Sequence, residues 1–368
     1  MKEQHRDRQP SVKRCTYRTG FFGGKFLPFH KGHLDTILRC ASECEKLYVV
    51  LMYNGEQEQR ILANYSDPFP IEHLSRETRE TALRRELAPF ENIEVLAYDC
   101  GEPDVRAIRE GKHPWHYECS DLVSLMGRFD VAYSSEPEYS QIFRRFYPWA
   151  ESVLVDPDRT RTPLSGSDIR RMPFHRAYRC LPREYQKLVN KKVLITGPES
   201  CGKSTLARKL AAMLGTSCTE EMGKLACERV DLPSPGAAMY PGFVFAQKVA
   251  DMQAVETANM VAICDTDAIV TEFYLQLYEG KELPVAREVA KLNSWDKVFF
   301  VEPSVPWVAD GLRCHADQLV RIEQAEKLKA VYRNLGYELT ILDDDYRENY
   351  ERALAEIRTL LGYEDREV

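Results

Sequence analysis

Two histidines three residues apart, His30 and His33, follow a glycine-rich turn near the start of the chain. Gly32 stands between them and allows a tight turn, so that both imidazole rings can point at the same phosphate oxygens. A helical pattern begins here, and the first turn of a helix offers unpaired backbone N–H groups that favour phosphate. The segment therefore predicts a nucleotide site whose histidines stabilise developing charge. The predicted nucleotide-binding residues of this segment are Gly23, Gly24, Phe26 and Gly32.

A serine-rich segment, residues 164–170 (LSGSDIR), is the second candidate in the first half of the chain. Ser165 or Ser167 can cap the helix that follows, and Arg170 can bind a triphosphate together with the N–H groups of that helix. An ordinary capping serine and a surface arginine would show the same pattern. The histidine motif upstream favours the functional interpretation.

A complete phosphate-binding loop, GPESCGKS, occupies residues 197–204 and matches GxxxxGK[ST]. It follows a strand pattern and begins a helical one, which is the context that the motif requires. Its backbone N–H groups cradle phosphates, Lys203 reaches the β and γ oxygens, and the Ser204 hydroxyl ligates Mg²⁺. The predicted ATP-binding residues here are Gly197, Glu199, Ser200, Cys201, Gly202, Ser204 and Thr205.

Two acids, Asp265 and Asp267, end the next apolar strand pattern. One should contact Mg²⁺, directly or through water, and the other can position or deprotonate a substrate hydroxyl. Spacing leaves open which does which, although Asp265 is the predicted metal ligand with Ser204. A helix-capping role is the alternative for either acid.

A third strand pattern in the second half is followed by the segment DGLR, residues 310–313. In small P-loop kinases this place belongs to a mobile lid whose arginines close on the transferring phosphate. Arg313 is the favoured candidate and Arg321 the second. A surface salt bridge is the alternative interpretation of Arg313.

Strand and helix patterns alternate along the chain, which predicts parallel α/β sheets. The pattern starts twice, once before the histidine motif and once before the phosphate-binding loop. Between the two starts lies a proline- and charge-containing segment, residues 172–192, which predicts a domain boundary near residue 185.

Composition excludes several classes of protein. The 50 basic and 57 acidic residues give a net charge of −7, which disfavours bulk nucleic-acid binding. No apolar run reaches the ~18 residues of a membrane span, and the charged N-terminus predicts no signal peptide. The 11 cysteines form no CxxC pair, which indicates a reducing cytoplasm without a disulfide framework or structural zinc.

The two sites in this order resemble one family, the NadR-type bifunctional proteins, which join a nicotinamide-mononucleotide (NMN) adenylyltransferase to a ribosylnicotinamide kinase. The first site alone resembles the HxGH nucleotidyltransferase superfamily. The resemblance extends from about Tyr17 to Tyr350. Besides the two main motifs, it includes residues 134–137 (SSEP), 155–160 (VDPDRT), 173–174 (PF), 265–267 (DTD), 278–280 (YEG) and 310–313 (DGLR).

The resemblance implies an α/β protein with a Rossmann-like HxGH nucleotidyltransferase at residues 1–185 and a P-loop kinase with a parallel sheet at residues 186–368. The kinase would convert nicotinamide riboside and ATP to NMN and ADP, and the transferase would convert NMN and ATP to NAD and pyrophosphate. Both need Mg²⁺, with ATP as a substrate. No nucleic acid or membrane partner is implied, and a homo-oligomer is compatible with the family. The residues that would stabilise the pyrophosphate leaving group are His30, His33, Lys25 and Arg170.

Three departures from the family pattern stand out. Only 16 residues precede Tyr17, so we expect no N-terminal helix-turn-helix. The segment WEYGR of the family reads EEMGK at residues 220–224, so the nucleoside pocket, to which Glu221 is assigned, can differ. The usual lysine of the serine motif is Asp168. Trp115 stands where the family places tryptophans near the pyridine ring, which suits a cationic pyridinium, although a core position is the alternative.

The sequence is also compatible with two other functions. The same two folds can act on a different nucleoside and nucleotide pair, which the altered segment 220–224 allows. A regulator that senses ATP and NAD is the second alternative, and the intact catalytic motifs count against it.

Overall fold

A computed structural model describes residues 15–64, 71–230, 235–304 and 317–364. The chain divides into two compact units, Met1–Tyr185 and Gln186–Val368. Within the described ranges, no helix is long and apolar enough to cross a membrane.

The first unit is built on a five-stranded parallel sheet with strand order β3-β2-β1-β4-β5. The chain leaves β1 in one direction toward β2 and β3 and later returns to the other side of β1 to form β4. The sheet therefore has a switch point between β1 and β4, where ligands bind at the carboxyl ends of strands. The strands are β1 (Tyr17–Gly24), β2 (Cys44–Tyr53), β3 (Ile93–Asp99), β4 (Val131–Ser134) and β5 (Glu151–Leu154).

Helices cover this sheet and bury its central strands. In β2, Val49, Val50 and Leu51 are all buried, as expected of a central parallel strand that is covered on both faces. The helices are α1 (Lys31–Glu43), α2 (Gly55–Leu62), α3 (Arg76–Leu87), α4 (Gly101–Arg109), α5 (Trp115–Met126), α6 (Pro137–Phe146), α7 (Gly166–Ile169) and α8 (Phe174–Cys180). Helix α9 (Arg183–Val189) contains the boundary between the two units.

The second unit has a four-stranded parallel sheet with strand order β7-β6-β8-β9. Strand β6 lies inside the sheet, so the loop after it, which carries the phosphate-binding motif, begins between two neighbouring strand ends. The strands are β6 (Lys191–Thr196), β7 (Val261–Asp265), β8 (Lys297–Val301) and β9 (Leu339–Leu342). The helices are α10 (Lys203–Leu214), α11 (Met222–Arg229), α12 (Tyr240–Thr257), α13 (Ala268–Glu279), α14 (Pro284–Ala290), α15 (Gln318–Asn334) and α16 (Tyr346–Leu360).

The predicted fold class is confirmed: both sheets are parallel and each is interleaved with helices. Helix α3 begins at Arg76 because Ser75 caps it by accepting a hydrogen bond from the Thr78 backbone N–H at 3.2 Å.

Candidate active sites

A cavity of about 510 Å³ opens at the carboxyl ends of β1 and β4 in the first unit. It is the place that the switch point of the sheet predicts for a ligand. The predicted site residues that line it are Gly23, Gly24, Lys25, His30, Gly32, His33, Trp115 and Ser165.

His30 and His33 lie together at the start of α1. Their rings stack with centroids 3.8 Å apart. His30 is the N-cap of the helix, and its Nδ1 accepts a hydrogen bond from the Gly32 backbone N–H at 3.1 Å. That bond places the proton of the neutral His30 ring on Nε2, which makes Nε2–H a donor.

Both imidazoles are held neutral. Burial is the main cause that lowers the pKa of His30 to about 4, and the charge of Arg159 adds to it. The pKa of His33 is lowered well below its usual value by burial, by His30 and by Arg159. At neutral pH the pair can therefore donate hydrogen bonds to an anion, and bound phosphate charge would raise both pKa values.

The turn that carries Lys25 is fixed by a buried ion pair. Arg79 is fully buried and donates to both carboxylate oxygens of Glu58, at 2.5 and 3.1 Å. Its guanidinium also donates to the Lys25 backbone carbonyl at 2.5 Å. The Lys25 ammonium in turn donates to Gln57 Oε1 at 2.6 Å. The spacing of the sequence predicted none of these supports.

Three predicted residues of the first site, Phe26, Ser167 and Arg170, do not line the cavity, and their assignment as direct ligands stays a prediction. The Phe26 ring is buried edge-on against His33, with centroids 5.1 Å apart. Arg170 donates to the Leu27 backbone carbonyl and, at 3.2 Å, to Ser167 Oγ. Arg170, which is bonded to Ser167, thus supports the turn before His30.

The cation that reaches the cavity from this side is Arg159, which the sequence analysis missed as a site residue. It lines the cavity and pairs with Glu136 at 2.7 Å. The only sequence signal was its place in the segment VDPDRT at residues 155–160.

Ser165 caps the short helix α7, with its Oγ accepting from the Asp168 N–H at 3.0 Å and donating to the Asp168 carboxylate at 2.5 Å. The acid that replaces the usual lysine of the family is therefore part of the cap.

Trp115 is a core residue that also lines the cavity. Its ring belongs to the aromatic core, packed edge-to-face on Phe143 and Tyr139 with centroids 5.6 and 5.9 Å apart.

In the second unit the phosphate-binding loop has the geometry that its sequence predicts. Gly197 has φ +143°, and a Cβ there would lie 2.4 Å from the Val301 carbonyl oxygen, so only glycine fits. Gly202, with φ +94°, is the N-cap of α10. Lys203 is buried, and its ammonium donates to the Pro198 carbonyl of the loop at 2.7 Å. The remaining predicted positions, Glu199, Ser200, Cys201, Ser204 and Thr205, lie in this loop and the first turn of α10.

Asp265 ends β7 beside the loop and is 2% exposed. Burial raises the pKa of its carboxyl, while Lys203 and a hydrogen bond with Ser204 oppose the rise. Its Oδ1 has no hydrogen-bond partner within the described residues. A buried carboxylate oxygen beside a serine hydroxyl fits Mg²⁺, which takes oxygen ligands and retains several waters or phosphate oxygens. No cluster of three His, Cys, Asp or Glu side chains suited to a metal occurs in the described part of the chain.

Asp267 has a different environment. It is the N-cap of α13, and its Oδ1 accepts from the backbone N–H groups of Ile269 and Val270 at 3.0 and 3.3 Å. The same oxygen accepts from the Tyr332 hydroxyl at 2.7 Å. Asp267 therefore has the capping role that the sequence left open, while its Oδ2 is buried without a hydrogen-bond partner among the described residues. Its roles in catalysis and substrate binding stay predictions.

The two arginines predicted for a lid, Arg313 and Arg321, have different outcomes. Arg313 lies outside the described residues. Arg321 is fully buried, and its guanidinium donates to the Ser200 carbonyl at 3.1 Å and to Gln318 at 2.8 Å. Arg321 thus supports the phosphate-binding loop from behind.

An acidic and aromatic group adjoins this loop. Glu221 interacts with the charges of Lys203 and Asp265, and burial raises its pKa. The rings of Tyr274 and Tyr278 are stacked at 5.7 Å, and the Tyr278 hydroxyl donates to Glu199. The sequence indicated Glu221 but not the two tyrosines, whose spacing on one helix face is equally typical of core residues.

Comparisons with known proteins find one matching family in each half of the chain. The cytidylyltransferase-like family matches residues 21–172, and the AAA domain family matches residues 192–349. The trifunctional NAD biosynthesis/regulator protein NadR of Escherichia coli (strain K12) is 29% identical over 93% of this chain and 83% of its own length. The nicotinamide-nucleotide adenylyltransferase of Methanosarcina acetivorans is 31% identical over 41% of this chain and 74% of its own. A crystal structure of a NadR protein in complex with NR superposes with a TM-score of 0.74 at 24% identity, covering 96% of this chain and 98% of that one.

Proposed function

The chain belongs to the NadR family of NAD biosynthesis proteins, and on this basis we propose that it makes NAD in two consecutive reactions. Residues 186–368 transfer the γ-phosphoryl group of ATP to nicotinamide riboside, which gives NMN and ADP. Residues 1–185 transfer the adenylyl group of ATP to NMN, which gives NAD and pyrophosphate. The observation that carries the proposal is the presence in one chain of a cavity lined by both histidines of an HxGH motif and of a complete phosphate-binding loop.

In the first unit, a phosphate oxygen of NMN attacks the α-phosphorus of ATP and pyrophosphate leaves. His30 and His33 meet the developing negative charge as neutral donors, so the site avoids burying two imidazolium charges before ATP arrives. Lys25 and Arg159 supply the positive charge. Arg79 and Arg170 act as positioning residues, since both hold backbone carbonyls of the turn before His30.

In the second unit, the ribose 5′-hydroxyl attacks the γ-phosphorus. Lys203 binds phosphate oxygens, and Ser204 with Asp265 would hold Mg²⁺, which neutralises phosphate charge when bound. Glu221 is one candidate proton acceptor for the hydroxyl, because burial raises its pKa and the charges of Lys203 and Asp265 act on it. Asp267 is the second candidate: its Oδ1 accepts three hydrogen bonds, whereas its Oδ2 has no partner among the described residues.

Aromatic rings are available for the pyridinium ring at both sites. Trp115 lines the first cavity, and the stacked pair Tyr274 and Tyr278 adjoins the phosphate-binding loop. The faces of aromatic rings attract cations. The tyrosine pair offers an aromatic surface where the segment 220–224 lacks the aromatic residues of the family.

The partners in this proposal are small molecules: ATP, NMN and nicotinamide riboside. The location proposed is the cytoplasm, which the free thiols of the described cysteines support. Absence of nucleic-acid partners and a homo-oligomeric state remain predictions from the sequence.

The test is to supply purified protein with ATP and Mg²⁺ and to identify products by mass spectrometry. Nicotinamide riboside should give NAD with NMN as intermediate, and NMN alone should give NAD. Turnover of other nucleosides with none of nicotinamide riboside would refute the kinase assignment. Binding of ATP and NAD without any turnover would favour the regulatory alternative.

A further inference from the structure

A buried polar network in the second unit joins helix α12 to the segment before α11. Gln247 on α12 is 2% exposed, and its Oε1 accepts from the Met222 backbone N–H at 2.9 Å. Its Nε2 donates to Asp251 Oδ1, one turn further along α12, at 3.1 Å. Asp251 is 5% exposed and also forms a side-chain hydrogen bond with Thr219. The two side chains of α12 therefore bind the chain on both sides of Glu221.

Thr219 extends this network to the carboxyl end of β7. Its backbone N–H donates to the Ile263 carbonyl at 3.0 Å, next to a parallel bridge between the two segments. Its Oγ1 accepts from the Asp265 backbone N–H at 3.1 Å, which leaves the hydroxyl proton for Asp251. The network therefore joins the backbone of Asp265, the proposed Mg²⁺ ligand, to the segment that carries Glu221.

Packing alone does not require polar side chains at these two positions of α12. The other buried residues of the helix are Tyr240, Phe243, Val244 and Ala254. Burying an amide and an acid among them costs stability unless both are hydrogen-bonded, and their bonds go to the residues that flank Glu221. Glu221 is the N-cap of α11, but its own side chain makes no capping hydrogen bond. The place of its carboxylate therefore depends on how the flanking backbone is held.

On the basis of the proposed function, in which Glu221 is a candidate proton acceptor, we propose that Gln247 and Asp251 are positioning residues for phosphoryl transfer. They hold the backbone around Glu221, so that its carboxylate keeps a fixed place relative to Asp265 and Lys203. A proton acceptor must lie within hydrogen-bond reach of the attacking hydroxyl, and a misplacement of ~1 Å can cost ~100-fold in rate.

The test is a double-mutant cycle on kcat for nicotinamide riboside phosphorylation. Gln247→Met keeps the length of the side chain but removes both hydrogen bonds, so kcat should fall at least ~10-fold with little change in the KM for ATP. Glu221→Gln alone should lower kcat at least ~100-fold. In a protein that already carries Glu221→Gln, Gln247→Met should lower kcat no further, because it acts through Glu221. A merely structural role would lower kcat equally with and without Glu221.

A second variant tests the hydrogen bonds themselves. Gln247→Glu together with Asp251→Asn exchanges the acid and the amide, so that residue 247 still accepts from Met222 and residue 251 donates to it. We expect this exchange variant to have kcat close to the wild-type value. The matched control is Gln253→Met, which makes the same change at an exposed position of α12 and should leave kcat unchanged. If Gln247→Met did not melt cooperatively, Asp251→Asn would decide in the same cycle.

The failures are distinguishable. A wild-type protein that does not phosphorylate nicotinamide riboside would refute the proposed function of the second unit. A wild type that does so, with a normal kcat in Gln247→Met or Glu221→Gln, or with equal losses with and without Glu221, would overturn this inference and leave the proposed function standing. A folded exchange variant as slow as Gln247→Met would overturn it as well.

Discussion

Replacing His33 by alanine is the most informative single change in the first unit. The ring lies between His30 and Phe26 in the wall of the cavity and is held neutral by burial and neighbouring charge. His33→Ala removes one preorganised donor from the place where negative charge develops. Removing such a donor costs about 100- to 1000-fold in kcat, or about 3–4 kcal/mol of transition-state stabilisation.

The assay follows NAD formation from NMN and ATP, with nicotinamide riboside phosphorylation measured in the same preparation. We expect the second activity to survive, because the phosphate-binding loop belongs to the other unit. The control is His116→Ala, which removes an exposed histidine that does not line the cavity. Adenylyl transfer within a few-fold of wild type in His33→Ala would refute the role given to this motif.

Three further predictions follow from buried charges. Asp265→Asn should lower kcat for nicotinamide riboside phosphorylation at least ~100-fold and shift the Mg²⁺ titration to higher concentration. The control Glu220→Gln, at a surface ion pair with Arg208, should change neither quantity. A normal Mg²⁺ titration in Asp265→Asn would contradict the assignment of Asp265 as a metal ligand. Arg79→Met should lower the free energy of unfolding in urea by about 3–5 kcal/mol, because the buried Glu58 carboxylate loses its partner. Adding Glu58→Leu should restore most of that free energy. Equal stability of the single and double variants would contradict a buried ion pair between Arg79 and Glu58. Burial and a hydrogen bond with Asp104 raise the pKa of Glu118 to about 8 in the folded protein, against 4.5 in the unfolded chain, so the folded state binds this proton more tightly. The contribution of this proton to stability is complete below pH 4.5 and is lost as pH rises through about 8. The melting temperature of the wild type should therefore fall relative to that of Glu118→Gln between pH 5 and pH 9, whereas parallel curves would show that Glu118 is ionised throughout.

Local patterns predicted the fold and the backbone of both sites. The strand before each motif, the glycines that only a tight turn needs, and the helix that follows are all encoded within about ten residues. For this reason His30 and His33 at the start of α1, and Lys203 in its loop, lie where the sequence predicts. Pairing of parallel strands is also implied, because strand and helix alternate.

The partners of long charged side chains could not be predicted in the same way. Arg170 and Arg321 are both bonded to backbone carbonyls of phosphate-site turns, which only the tertiary fold brings near them. Asp267 illustrates the same limit, since a capping acid and a catalytic acid have the same signature after a strand. Glu118 sits in a helical pattern that gives no sign of the cavity or of Asp104.

The central claim, two independent active centres that act in sequence, is tested most directly by a crossed pair of variants. Lys203→Ala removes a cation of the second site, and the double variant His30→Ala with His33→Ala removes the donors of the first. Each protein is given ATP and Mg²⁺ with either nicotinamide riboside or NMN, and all pyridine products are quantified by mass spectrometry. We predict that Lys203→Ala makes NAD from NMN but not from nicotinamide riboside, and that the double variant converts nicotinamide riboside to NMN and accumulates it. A Lys203→Ala protein that could no longer use NMN, with its fold intact, would contradict the account.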